Sequence, residues 1–215
     1  MEIKSEDVKK ICVLGWGLKG DLFIRIPVLE AIKNIFPDAK LTVIVDPINI
    51  DVLENHPDVD IVFPFRRNKK PLYKYIASTL SNILKLRKEK FDLFVTLFLG
   101  GPGHYMTWRV HVRILLSFNH SKALRLSNNL LAKHPNFCGH WVTAFANILR
   151  PLGVDPDAVR KGTSFYCSPE ADKYAEEFLG EEKRLLVGIN LGAGAIEKCW
   201  PVERFVELAT LLKDK

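Results

Sequence analysis

Long hydrophobic runs are absent from this 215-residue chain. None approaches the roughly 18 apolar residues of a membrane span, and Met1-Glu2-Ile3-Lys4 followed by Ser5-Glu6-Asp7 does not resemble a signal peptide. That predicts a soluble, cytoplasmic protein. Cysteine is scarce: Cys12, Cys138, Cys167 and Cys199 are scattered with no C-x-x-C pair, which argues against a disulfide framework or a zinc knuckle. His134, Cys138 and His140 lie close together in sequence, but no second pair of ligands has suitable spacing, so they read as an ordinary loop and no metal is expected. Acidic residues are the minority, 25 against 31 lysines and arginines, for a net charge of +6 and a pI near 9.1. An anionic partner fits that balance. Nucleic acid is not expected, because no helix-turn-helix, zinc-finger or RNP-type pattern accompanies the charge.

What is present is centred on residues 10–27. Residues 11–14 read as a buried strand; Gly15, Gly17 and Gly20 supply a backbone able to turn with positive φ or to lie close against a ligand; a helical pattern follows through Leu22, Ile26 and Leu29. Such a junction makes a ready site for an anion or a sugar hydroxyl. The six residues from Gly15 to Gly20 also fit the dinucleotide pattern G-x-G-x-x-G, with Asp46 where a ribose-binding acid would sit. Asp21 counts against that reading, since its carboxylate would stand in the first helical turn, where a pyrophosphate should lie. Pro27 is a second objection, read as an interruption inside the crossover helix.

Hydrophobic content of 47% suffices for a sizeable core, and the length allows one large domain or one and a half ordinary ones. The pattern predicts an amphipathic helix over 22–36, strands over 41–45 and 59–63, a short helix over 51–55, a long helix over 73–89 and a strand over 91–98. Strands alternating with helices imply parallel pairing in a doubly wound sheet. Arg66, Arg67, Lys69 and Lys70 follow a strand at the carboxyl edge, where they either receive phosphates or form a solvated loop. His104, in the glycine-rich loop 100–105, either orients a hydroxyl or is structural. Residues 107–126 continue as helix and strand, 127–139 receive no assignment, 140–149 are helical, and 154–166 read as an inter-domain crossing. A helix then starts at Ser168-Pro169-Glu170. A buried strand over 185–190, the loop Gly192-Ala193-Gly194 and a helix over 202–213 open a second domain that one strand and one helix cannot complete. The expected division is 1–166 and 167–215.

Together these residues resemble the glycosyltransferase family 9 enzymes, the ADP-heptose:lipopolysaccharide heptosyltransferases. The resemblance rests on Gly20-Asp21 with Pro27 beyond it, Phe36-Pro37-Asp38-Ala39, Pro57-Asp58-Val59-Asp60, Phe91-Asp92, and the stretch from Gly192 to Phe205. Within the last, Lys198-Cys199-Trp200-Pro201-Val202-Glu203-Arg204-Phe205 is similar to the family's Lys-x-Trp-Pro-x-Glu-x-Phe signature.

The resemblance implies a GT-B-like α/β fold: a Rossmann-like parallel-sheet acceptor domain followed by the truncated start of a Rossmann-like nucleotide-sugar domain. It implies inverting transfer of a sugar, heptose above all, from an ADP-sugar to a phosphorylated glycolipid or lipopolysaccharide-core acceptor at the inner membrane face. Neither metal nor other cofactor is expected. By resemblance Asp21 is the catalytic base, Gly20, Arg66, Arg67, Lys69, Lys70 and His104 are acceptor-binding, and Lys198 with Gly192 and Gly194 binds the donor phosphates. Trp200 reads as a packing residue. Trp16, Leu18 and Lys19 depart from the small or polar residues the family often has before Gly-Asp, and the family's Asp-(Ser/Thr)-Gly-x-x-His segment has no counterpart. Two other readings stay open, a non-catalytic glycolipid- or polyanion-binding module left by truncation and an NAD-binding oxidoreductase.

Overall fold

The computed structural model describes residues 3–66, 72–97, 114–118, 129–132, 139–180 and 186–213. Six strands form one sheet: β1 (Lys10–Leu14), β2 (Lys40–Val45), β3 (Ile61–Pro64), β4 (Leu93–Thr96), β5 (Ile114–Phe118) and β6 (Asn129–Ala132). Their order is β3-β2-β1-β4-β5-β6 and every pairing is parallel. This is the doubly wound arrangement, in which strand order reverses between β1 and β4. Open α/β sheets bind their ligands outside the carboxyl ends of the strands at such a reversal.

The helices are α1 (Lys19–Phe23), α2 (Ile26–Ile35), α3 (Leu72–Glu89), α4 (Trp141–Ala146), α5 (Pro169–Leu179) and α6 (Val202–Lys213). Alternation along β1 sorts its side chains onto two faces. Ile11 and Val13 join Leu22, Ile26, Leu29, Leu41, Val43, Leu93, Val95 and Phe145 in one core. Cys12 and Leu14 join Ile44, Phe94, Ile83 and Leu86 in the other, beneath α3. Burial pushes the Cys12 thiol well above its ordinary pKa, so it behaves as a small core hydrophobe.

Two carboxylates tie strand starts together. Asp92 accepts hydrogen bonds from the Lys9 and Lys10 amides at 2.9 and 3.0 Å, and Asp60 accepts from the Leu41 amide at 2.7 Å. Each aspartate precedes one strand and holds the start of its neighbour. These members of the family resemblance are therefore architectural.

Three expectations need correction. The helix expected over 22–36 is two helices, because the chain breaks at Ile24 and Arg25; Pro27 stands at the second position of α2, where no intrahelical bond is lost. The helix expected over 51–55 lies earlier, as a 3-10 turn over Pro47–Val52. The buried strand expected over 185–190 is not found in its described part: residues 186–190 are extended by no ladder and exposed. A strand needs a neighbour for its amides and carbonyls, and the second unit has none among the described residues.

Contacts divide the chain into two compact units, Met1–Pro169 and Glu170–Lys215. The first holds the sheet and both cores. Residues that precede the division pack back onto it, Phe165 against Phe23 with ring centres 5.2 Å apart and the Thr163 hydroxyl donating to the Phe23 carbonyl at 3.0 Å.

Candidate functional site

The loop from Gly15 to Leu18 leaves β1 at the point where the strand order reverses, and α1 carries Asp21 out of it. The Gly15 amide extends the ladder by donating to the Ile44 carbonyl at 2.9 Å. Neither Gly15, Gly17 nor Gly20 has positive φ, so none serves a left-handed turn, and close approach is the role of Gly15 and Gly17 alone. A Cβ on Gly15 would stand 3.1 Å from Leu22 Cδ1 and 3.2 Å from Val43 Cγ1. One on Gly17 would lie 2.7 Å from the Asp21 Cβ, a collision. At Gly20 it would meet nothing within 4 Å, which leaves that position open toward solvent.

Asp21 is exposed, and its Oδ2 accepts the Leu18 amide at 2.9 Å. Among the described residues Oδ1 accepts no hydrogen bond. One carboxylate oxygen is thus fixed to the backbone, while the other belongs to an exposed side chain and accepts nothing among the described residues. The same bond fills the N-terminal amide that a pyrophosphate would take, which weakens the dinucleotide reading on geometric grounds.

Two side chains not foreseen from sequence hold the loop from beneath. Arg25, 5% exposed, donates through Nη1 to the Trp16 carbonyl, and its guanidinium lies 4.7 Å from the centre of the Phe145 ring. Asn49, 0% exposed, donates through Nδ2 to the Gly17 carbonyl at 2.9 Å, and its Oδ1 has no partner among the described residues. The available signal was compositional: Arg25 is the lone cation between Leu22-Phe23-Ile24 and Ile26, and Asn49 separates two isoleucines.

The departures in this loop have local causes. Trp16 is buried, edge-on to Phe65 at 5.6 Å, and so belongs to the core beneath the loop. Lys19 pairs with Asp51, on the turn that carries Asn49. Leu18 remains 74% exposed.

Of the other residues singled out, Arg66 is exposed just beyond β3 on the same carboxyl edge. Arg67, Lys69, Lys70 and His104 lie outside the described residues, as do His134 and Cys138. His140 caps α4, its Nδ1 accepting the Val142 amide at 3.3 Å. In the second unit, Gly192 donates its amide to Asn190 Oδ1 at 3.1 Å, Gly194 has open space around it, and exposed Lys198 ends a 3-10 turn over Ile196–Lys198 shortly before α6. Trp200 packs edge-on to Phe205 with centres 5.0 Å apart.

A further titratable group lies in the first unit. His56 is buried, accepts the Asp58 amide on Nδ1 at 3.2 Å, and has Nε2 3.8 Å from Glu30 and its ring edge-on to Tyr166 at 5.0 Å. Burial lowers its pKa, and the charges of Asp58 and Glu30 oppose that shift.

No protein-family model matches the chain. It is 26% identical over 190 residues to lipopolysaccharide heptosyltransferase 3 of Escherichia coli, a match covering 86% of the chain and 55% of that protein. To lipopolysaccharide core heptosyltransferase OpsX of Haemophilus influenzae it is 22% identical over 214 residues, covering 98% and 59%. Among solved structures it is similar to the family 9 glycosyl transferase of Veillonella parvula, with TM-score 0.79 at 24% identity over 97% of the chain and 60% of the other. It is also similar to E. coli heptosyltransferase WaaC with ADP-2-deoxy-2-fluoro heptose, with TM-score 0.71 at 17% identity over 95% and 66%. The chain spans 55–59% of the length of the curated relatives it matches. Its first unit is therefore a Rossmann-like parallel-sheet domain consistent with the GT-B fold, and the chain is similar at low identity to a family 9 glycosyl transferase and to heptosyltransferases.

Proposed function

We propose that this chain serves an inverting, metal-independent glycosyl transfer in which a sugar, heptose in the first instance, passes from an ADP-sugar to a phosphorylated lipopolysaccharide-core type of acceptor at the cytoplasmic face of the inner membrane. The observation that carries the reading is Asp21, an exposed carboxylate on a rigid strand-loop-helix junction at the topological switch point. Its Oδ1 takes the proton of the acceptor hydroxyl as the hydroxyl oxygen attacks the anomeric carbon. The new C–O bond forms on the face opposite the diphosphate. The old C–O bond breaks and its electron pair leaves with ADP. Lys198 offsets the charge that grows on the leaving diphosphate, and Arg66 attracts the phosphorylated acceptor. Attachment to the acceptor's membrane is read as peripheral; among the described residues no helix is long and apolar enough to cross a membrane.

The test combines ADP calorimetry with product analysis. ADP is expected to bind this chain, to lose its affinity in Lys198→Ala and to keep it in Asp21→Ala. With ADP-heptose and a phosphorylated core oligosaccharide, the anomeric configuration of the product, read by NMR, is expected to be inverted. Retention of configuration, or ADP binding indifferent to Lys198→Ala, would overturn the reading. Acceptor binding without any transfer would favour the glycolipid-binding alternative.

A further inference from the structure

We propose that Arg25 and Asn49 are positioning residues for Asp21, acting through the backbone of the loop beneath it; the proposal rests on the reading of Asp21 as the base. Three consecutive loop residues are each tied by a side chain. The Trp16 carbonyl accepts from Arg25, the Gly17 carbonyl from Asn49, and the Leu18 amide donates to Asp21 itself. Gly17 is the member that matters most. A Cβ there would strike the Asp21 Cβ, so the aspartate side chain lies directly on the Gly17 backbone, and fixing that peptide fixes the surface on which Asp21 rests.

The two tethers come from different parts of the first unit. Asn49 stands on the turn that follows β2, a turn joined to α1 a second time by the Lys19–Asp51 pair. Arg25 stands at the break between α1 and α2 and is itself held over Phe145 of α4. The break is what turns Arg25 back beneath the loop, so the interruption of the crossover helix has a use.

Stability alone does not account for these side chains. A guanidinium and an amide buried to this degree lose their hydration, and apolar side chains of like size would fill the same space at less cost. Asn49 leaves one buried oxygen without a partner among the described residues, a penalty that its single bond to Gly17 must offset. What the pair supplies is a loop with one backbone geometry, and a base displaced by about 1 Å can lose about 10²-fold in rate.

The experiment uses Asn49→Ala and Arg25→Lys in the 215-residue chain. The second variant keeps a cation and a donor with shorter reach. Amide exchange by NMR is read at Leu18, with β4 amides as the internal control, and transfer kinetics are read beside it. The expected result for Asn49→Ala is Leu18 exchange faster by about tenfold or more with β4 unchanged. Its kcat is expected to fall about 10²-fold with KM for the donor unaltered, and Arg25→Lys is expected to show a smaller loss of the same kind. Leu18 exchange unchanged in both variants, or loosening that extends equally to β4, would overturn the proposal. Faster Leu18 exchange with undiminished kcat would overturn it as well. An Asp21→Asn variant that transfers at the full rate would instead overturn the assignment of Asp21 as base. If Asn49→Ala fails to fold, Arg25→Lys decides by the same criteria.

Discussion

At the scale of single residues, the glycines around Asp21 have opposite mechanical roles although they look alike in sequence. Gly17→Ala forces a Cβ onto the Asp21 Cβ, so the loop or the aspartate must move; transfer is expected to fall with little loss of fold, and kcat of the substituted chain checks it. Gly20→Ala meets nothing in a helical segment, so a chemical denaturation series should show unchanged or increased stability, by up to about 1 kcal/mol. A loss of acceptor affinity in that same variant would mark Gly20 as an acceptor contact. His56 supplies the pH dependence. Burial lowers its folded pKa below the unfolded value of about 6.5, so the unfolded chain binds the proton more readily. The stability it contributes is fully present above that unfolded value and is lost as pH falls through the window beneath it. Denaturation midpoints are expected to drop below pH 6.5, with a slope of up to about 1.4 kcal/mol per pH unit from this group, and His56→Gln should flatten that slope. An unchanged slope would place the acid sensitivity elsewhere.

At the scale of elements, what periodicity could express was legible and what depends on tertiary partners was not. The alternating strands and helices from β1 to β4 followed from short apolar runs bounded by glycine, proline and aspartate. The break between α1 and α2 was hidden, because Ile24, Arg25 and Ile26 continue a helical apolar pattern and only the bond from Arg25 to the loop shows why the chain turns there. β6 was missed: Asn129–Ala132 is a four-residue edge segment whose strand character comes from pairing with β5. Residues 186–190 failed in the opposite direction, apolar enough for a strand but without a described neighbour to pair with. In the candidate site, the glycine pattern and the family resemblance single out Asp21 as a candidate, whereas Arg25 and Asn49 act on backbone carbonyls and leave no motif. Asp60 and Asp92 carried part of the resemblance for architectural reasons. Removing Asp92 leaves two strand-start amides without their acceptor, and Asp92→Ala is expected to cost about 1–3 kcal/mol. Asp60→Ala, at a more exposed site with one amide, should cost about 0.5–1.5 kcal/mol. Equal losses in urea titrations of the two variants would contradict that ordering.

At the scale of the whole molecule, both hydrophobic cores lie in the first unit, and neither α5 nor α6 buries a residue among those described. Native-state hydrogen exchange is therefore expected to be slowest in β1, β2 and β4 and fastest in α5 and α6. Slow exchange throughout α5 and α6 would show that they are covered in solution. The two units also divide the proposed chemistry, with the base on the first and the donor-phosphate residues Lys198, Gly192 and Gly194 on the second. The central claim is the role of Asp21, and the most direct measurement is sugar transfer by Asp21→Asn. The asparagine oxygen still accepts from the Leu18 amide, so the loop is kept while the proton acceptor is lost. The expected result is a fall in kcat of about 10²–10⁴-fold with acceptor and ADP affinities unchanged. Transfer at the undiminished rate, or no transfer by the unsubstituted chain itself, would contradict it.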